Sequence, residues 1–110
     1  MTTRLRSDFQ VSAIRQAAKA HGAFCTILKH GHDEAGMIHL VWRKGGSVSV
    51  WSESSGEGGS RGWRLRAADV TEEAADTMLE KEKKFDPDLW VVELDGDISR
   101  DALPGDFFDQ

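Results

Sequence analysis

The chain has 110 residues, 39% of them hydrophobic and 30% charged, with a single cysteine and a formal net charge of -5. This length fits one domain, since domains commonly run to about 100–150 residues and a second core would lack apolar mass. A lone cysteine, Cys25, excludes an internal disulfide, and no apolar run approaches the roughly 20 residues that cross a bilayer, so the expected location is the cytoplasm.

Charge is divided unevenly along the chain. Residues 1–66 hold ten Lys and Arg against five acids, whereas residues 67–110 hold four against fourteen. A basic surface for an anionic partner is one reading. The favoured one is that the two halves attract each other within one fold, because the whole is acidic and no basic cluster is dense.

Ser7 with Gln10 three residues later is a capping-box pattern, and Phe9, Ala13, Ile14, Ala17 and Ala18 recur at helical spacing until Gly22. A helix is expected from about Asp8 to His21. Two β-rich segments, Phe24–His30 and Met37–Lys44, flank a turn at residues 31–36 and predict a hairpin. Gly45-Gly46 is a two-residue turn into a third strand, Ser47–Glu53, in which Val48 and Val50 alternate with Ser49 and Trp51. After a Gly- and Ser-rich stretch at residues 54–62, Trp63–Ala67 alternates as a fourth strand. Asp69 or Thr71 can cap a second helix in which Ala75, Met78, Leu79 and Phe85 face inward, and Pro87 ends it near Phe85. Leu89–Leu94 is a fifth strand, bounded by Asp95-Gly96-Asp97. Residues 98–110 read as an acidic C-terminal tail, dispensable to folding, behind a single domain of residues 1–97. The expected fold is α+β and two-layered, in the order α-β-β-β-β-α-β. Two helices would pack on one face of a mainly antiparallel sheet of about five strands. Ile14, Leu40, Trp42, Met78 and Phe85 would share its core.

At the two ends of this pattern the residues carry a resemblance. Arg4-Leu5-Arg6-Ser7, Val11-Ser12-Ala13 and above all Phe85-Asp86-Pro87-Asp88-Leu89-Trp90-Val91-Val92-Glu93 resemble the bacterial domain-of-unknown-function family numbered 1491. The resemblance implies a compact, small bacterial protein. It carries over no catalytic residue and no cofactor.

Several constellations could carry chemistry. Asp86 and Asp88, held apart by Pro87 and followed by Trp90, could bind a cation or share acid and base roles. The favoured reading is a helix-to-strand connection in which the carboxylates accept from backbone donors. His30, His32, Asp33 and Glu34, with His39 across the expected hairpin, are metal-ligand types, but their spacing matches no established zinc pattern. Gly56 to Gly62 is followed by a strand where a phosphate cradle needs a helix N-terminus. Cys25 reads as a small apolar residue. No catalytic residue, metal or cofactor is therefore expected.

The two-residue period makes a surface. If Ile38, Leu40, Trp42, Val48, Val50, Trp63 and Leu65 face the helices, then His39, Val41, Arg43, Trp51, Arg64 and Arg66 face outward. Arg43, Trp51, Arg64 and Arg66 are the candidate partner surface, a mix that suits a protein interface. The preferred function is a non-enzymatic binding or adaptor domain, working on an unknown protein partner through this face or the tail. The alternatives are a small enzyme centred on Asp86 and Asp88, and a weak nucleic-acid binder, which the net charge disfavours. No membrane partner is expected.

Overall fold

The computed structural model describes residues 5–55 and 61–108. Helix α1 spans Ser7–Ala20, β1 Phe24–Lys29, β2 Ile38–Lys44, β3 Ser47–Ser55 and β4 Arg61–Val70. Helix α2 spans Glu72–Phe85, β5 Trp90–Asp95, and a short 3-10 turn at Arg100–Ala102 leads to β6, Asp106–Phe108. Thr71 caps α2, its hydroxyl accepting from the Ala74 N–H at 3.1 Å, and the helix ends at Phe85 just before Pro87. Arg6, and not Ser7, is the N-cap of α1. Ser7 instead donates its hydroxyl to the Gly36 carbonyl at 2.5 Å, and Gln10 reaches back to the Leu5 carbonyl.

Among the described residues the sheet has six strands in the order β1-β5-β2-β3-β4-β6 and is mixed. The pairs β1–β5, β2–β3 and β3–β4 are antiparallel, and β2–β5 and β4–β6 are parallel. The α+β class holds. The five-strand, mainly antiparallel sheet does not, and neither does the hairpin between the first two strands, because β5 lies between them. Burial explains the insertion. Trp90, Val91, Val92 and Leu94 are all at most 1% exposed. A strand apolar on both faces belongs inside a sheet covered on both sides.

Both sides are covered, each by one helix. Val11, Ile14 and Ala18 of α1 pack with Leu40, Trp42, Trp51, Trp63 and Val92. Ala75 and Leu79 of α2, with Met78 at the margin, pack with Val41, Val48, Val50 and Val91 on the opposite face. The helices therefore do not share a face, and two cores replace the expected one. Phe85, expected in that core, is 88% exposed. Val48 and Val50 were expected beside Leu40, with Trp51 outward, and the register reverses this. Lys44 pairs with Ser47 around the two-residue turn, so Leu40 faces Trp51 and Val41 faces Val50.

Residues 98–108, expected to form a separate tail, run back across the α1 face. Ile98 and Leu103 are buried there at 1% and 5% exposure, and β6 pairs with β4 along Gly62–Arg64. Phe107 stands edge-on to Trp51 with ring centroids 5.0 Å apart, and Trp63 donates its indole N–H to the Pro104 carbonyl at 2.9 Å. The segment supplies apolar cover that α1 alone leaves incomplete.

Candidate functional site

The two sequence motifs at the ends of the chain meet at one loop. Residues 30–37 connect β1 to β2, and the Asp33 and Glu34 carbonyls accept from the Asp8 and Ser7 N–H groups of the first turn of α1. From the other side, the His32 N–H donates to the Asp88 carbonyl at 2.9 Å, and the Trp90 indole donates to the His32 carbonyl at 2.9 Å. A side chain at Gly31 or Gly36 would overlap the Asp88 carbonyl and the Trp90 ring. Asp86 accepts from the Asp88 N–H at 3.1 Å, a local turn bond. Asp86, Asp88 and Trp90 thus lock the end of α2 onto the loop that caps α1.

The histidines of that loop have structural partners. His30 bonds Asp33 at 2.8 Å and lies against Trp90 with ring centroids 4.1 Å apart. His32 accepts through Nδ1 from the Glu34 and Ala35 N–H groups. His39 points instead to the α2 face, where it is 1% exposed and bonds Ser52 at 2.7 Å. Burial pushes the His39 pKa down. Among the described residues, no group of three or more His, Cys, Asp or Glu is placed to hold a metal ion. Residues 56–60 of the glycine-rich stretch lie outside the described residues.

The candidate partner surface does not assemble. Trp51 is 2% exposed on the α1 face, while Arg43, Arg64 and Arg66 belong to the α2 face. Arg43 bonds Glu93 at 2.8 Å and also Glu72, and Arg66 bonds Glu82 at 2.6 Å and the Ser52 hydroxyl at 3.2 Å. The contacts to Glu72 and Glu82 tie α2 to the sheet. Arg64 is exposed.

A different surface stands at the margin of the sheet. Among the described residues, strand β1 pairs only with β5, so its other rim carries backbone donors and acceptors facing away from the sheet. Cys25 and Ile27 turn toward α1, and burial raises the Cys25 thiol pKa. Phe24 and Thr26 turn to the other face, Phe24 at 75% exposure, and Leu28, at the irregularity between Ile27 and Lys29, is 52% exposed. Phe24 pairs with the exposed Asp95. Lys29, the charged residue of the strand, is turned back onto β5, donating to the Pro87 carbonyl at 2.6 Å and the Leu89 carbonyl at 3.0 Å. It does not guard the rim. The residue pattern could not reveal this surface, because β1 is apolar at both periods and reads like an interior strand.

The comparisons agree with the fold. A crystal structure of a DUF1491 family protein from Caulobacter crescentus CB15 superposes with a TM-score of 0.83 at 29% identity, covering 94% of this chain and 99% of that one. A solution structure of a protein from A. tumefaciens gives 0.84 at 31% identity, covering 98% of each chain. An NMR structure of a DUF1491 family protein from Caulobacter crescentus CB15 gives 0.80 at 29%, covering 98% and 100%. No curated protein matches. The family model described as "Protein of unknown function (DUF1491)" matches residues 5–104, and the chain belongs to that family.

Proposed function

We propose that the protein is a binding module whose contact element is the free rim of β1, and that its occupant is an extended segment of a partner protein added as a seventh strand. The observation that carries this reading is that Phe24 and Leu28 are both exposed on an edge strand whose lysine is engaged elsewhere. Edges of this kind are normally blunted by an outward charge, and strand addition is a recurring mode of peptide recognition. The occupant's chemistry follows from the neighbours. Apolar side chains would meet Phe24 and Leu28, and a flanking basic residue would suit the nearby Asp95. The regular rim ends at the irregularity between Ile27 and Lys29, so the contact is short and suits a reversible association.

The rival readings have less support. Asp86 and Asp88 serve a turn and the loop clamp, and two of the three sheet-face arginines are paired with glutamates. The test is a calorimetric titration with a short peptide that alternates valine and threonine between terminal lysines. Saturable binding is expected, lost in the double variant Phe24→Lys with Leu28→Lys, whose exposed positions leave the cores untouched. Absence of binding, or equal binding by the double variant, would overturn the reading. A concentration-dependent dimer abolished by the same double variant would also overturn it, assigning the rim to a second copy of the chain.

A further inference from the structure

A strand added at the β1 rim would present side chains to both faces of the sheet, because successive residues point to opposite sides and directly paired residues share one. Those opposite Phe24 and Thr26 would lie on the face where Asp95 stands beside Phe24. Those opposite Cys25 and Ile27 would turn toward α1. There an open groove of about 650 Å³ runs between helix and strand, with Ser12, Arg15, Gln16 and Lys19 on its helix side and Phe24 and Cys25 on its strand side.

The groove is positive. Among the described residues its lining holds two cations and no acid. Arg6, Arg43 and Arg66 each meet a carboxylate, whereas Arg15 and Lys19 form no ion pair among the described residues. Standing four residues apart on α1, they are neighbours of like charge, an arrangement that is mildly unfavourable until an anion joins it. Lys19 suits the last turn of the helix, where the dipole favours a cation, but Arg15 lies a turn earlier and gains little from that field. Burial raises the Cys25 thiol pKa and the Arg15 charge opposes the rise, so the guanidinium is near enough to act on the strand residue that faces the helix.

Resting on the strand-addition reading, we propose that the partner segment carries an acidic side chain at the position opposite Cys25, turned toward α1 and received by Arg15 and Lys19. The segment is then two-faced, apolar on the Phe24 side and acidic on the Cys25 side. A chain of net charge -5 repels acidic segments at long range, so only the local groove favours this one.

Two versions of the valine and threonine peptide test this, with every threonine replaced by glutamate in one and by glutamine in the other, so that length and shape match. Calorimetric titration of the full chain at about 50 mM salt should show the glutamate peptide binding about fivefold more tightly than the glutamine peptide, a gap that closes at about 500 mM salt. Arg15→Gln with Lys19→Gln, both at exposed positions and both to a good helix former, should erase the preference and leave the affinity for the glutamine peptide unchanged. Arg15→Lys with Lys19→Arg keeps both charges and should keep the preference. If the threonine and glutamine peptides bind and the glutamate peptide binds no better, the groove has no part in recognition while strand addition stands. A preference that persists in the double glutamine variant would overturn the proposal as well. If none of the three peptides binds, strand addition itself fails, and the acidic face fails with it.

Discussion

Gly36 shows how single positions hold the ends of the chain together. A methyl group there would press on the Asp88 carbonyl, which is backbone and cannot rotate away. Gly36→Ala should therefore destabilise by about 1–3 kcal/mol, read from the denaturant midpoint, although the loop is at the surface. His39 makes a second case. Its folded pKa lies below the ordinary imidazole value, so the unfolded chain binds the proton more readily. Stability should be complete above about pH 6.5, fall as the pH drops below that value, and stop falling once the folded pKa is passed. His39→Gln should flatten this slope between about pH 6.5 and 5, where carboxylates contribute little. Trp51 is the residue most misplaced by sequence reasoning, yet its signal was present. A two-residue turn at Gly45-Gly46 pairs Lys44 with Ser47, and counting outward in register sets Trp51 opposite Leu40. Trp51→Ala should cost about 3–5 kcal/mol as a core truncation, where a surface tryptophan would cost little.

Elements were legible where periodicity and punctuation agreed. Both helices fall within a residue or two of the ranges set by Gly22, Thr71 and Pro87, and β3 follows directly from the diglycine turn. Pairing between distant segments was not legible, because alternation says which side a residue takes and nothing about which strand lies beside it. Only burial on both faces of β5 hinted at an interior place, and it was not enough to separate β1 from β2. The C-terminal segment was misread for a related reason. Its acids are spaced by Ile98, Leu103 and Phe107, too sparse to make a periodic element but sufficient to fill the α1 face. Truncation after Gly96 should therefore lower the thermal midpoint by about 10 °C or more. An unchanged midpoint would show that β6 and the 3-10 turn add nothing to the core.

At the scale of the whole molecule, part of the uneven charge joins the two halves. Arg43 with Glu72 and Glu93, and Arg66 with Glu82, each join the basic first part to the acidic second. This accords with the two halves attracting each other within one fold and leaves the α2 face a seam between helix and sheet. With a helix over each face, the sheet edges among the described residues are the short β6 and the longer β1, and at β1 the structure departs from the rule that edges are guarded. The measurement that bears on this most directly is hydrogen exchange at the amides of Phe24–Lys29. In the free chain these amides should alternate between slow exchange, where they face β5, and fast exchange, where they face outward. Saturation with the alternating valine and threonine peptide should slow the fast set by about tenfold or more and leave the slow set as it was. A fast set that stays fast at millimolar peptide would contradict strand addition at β1.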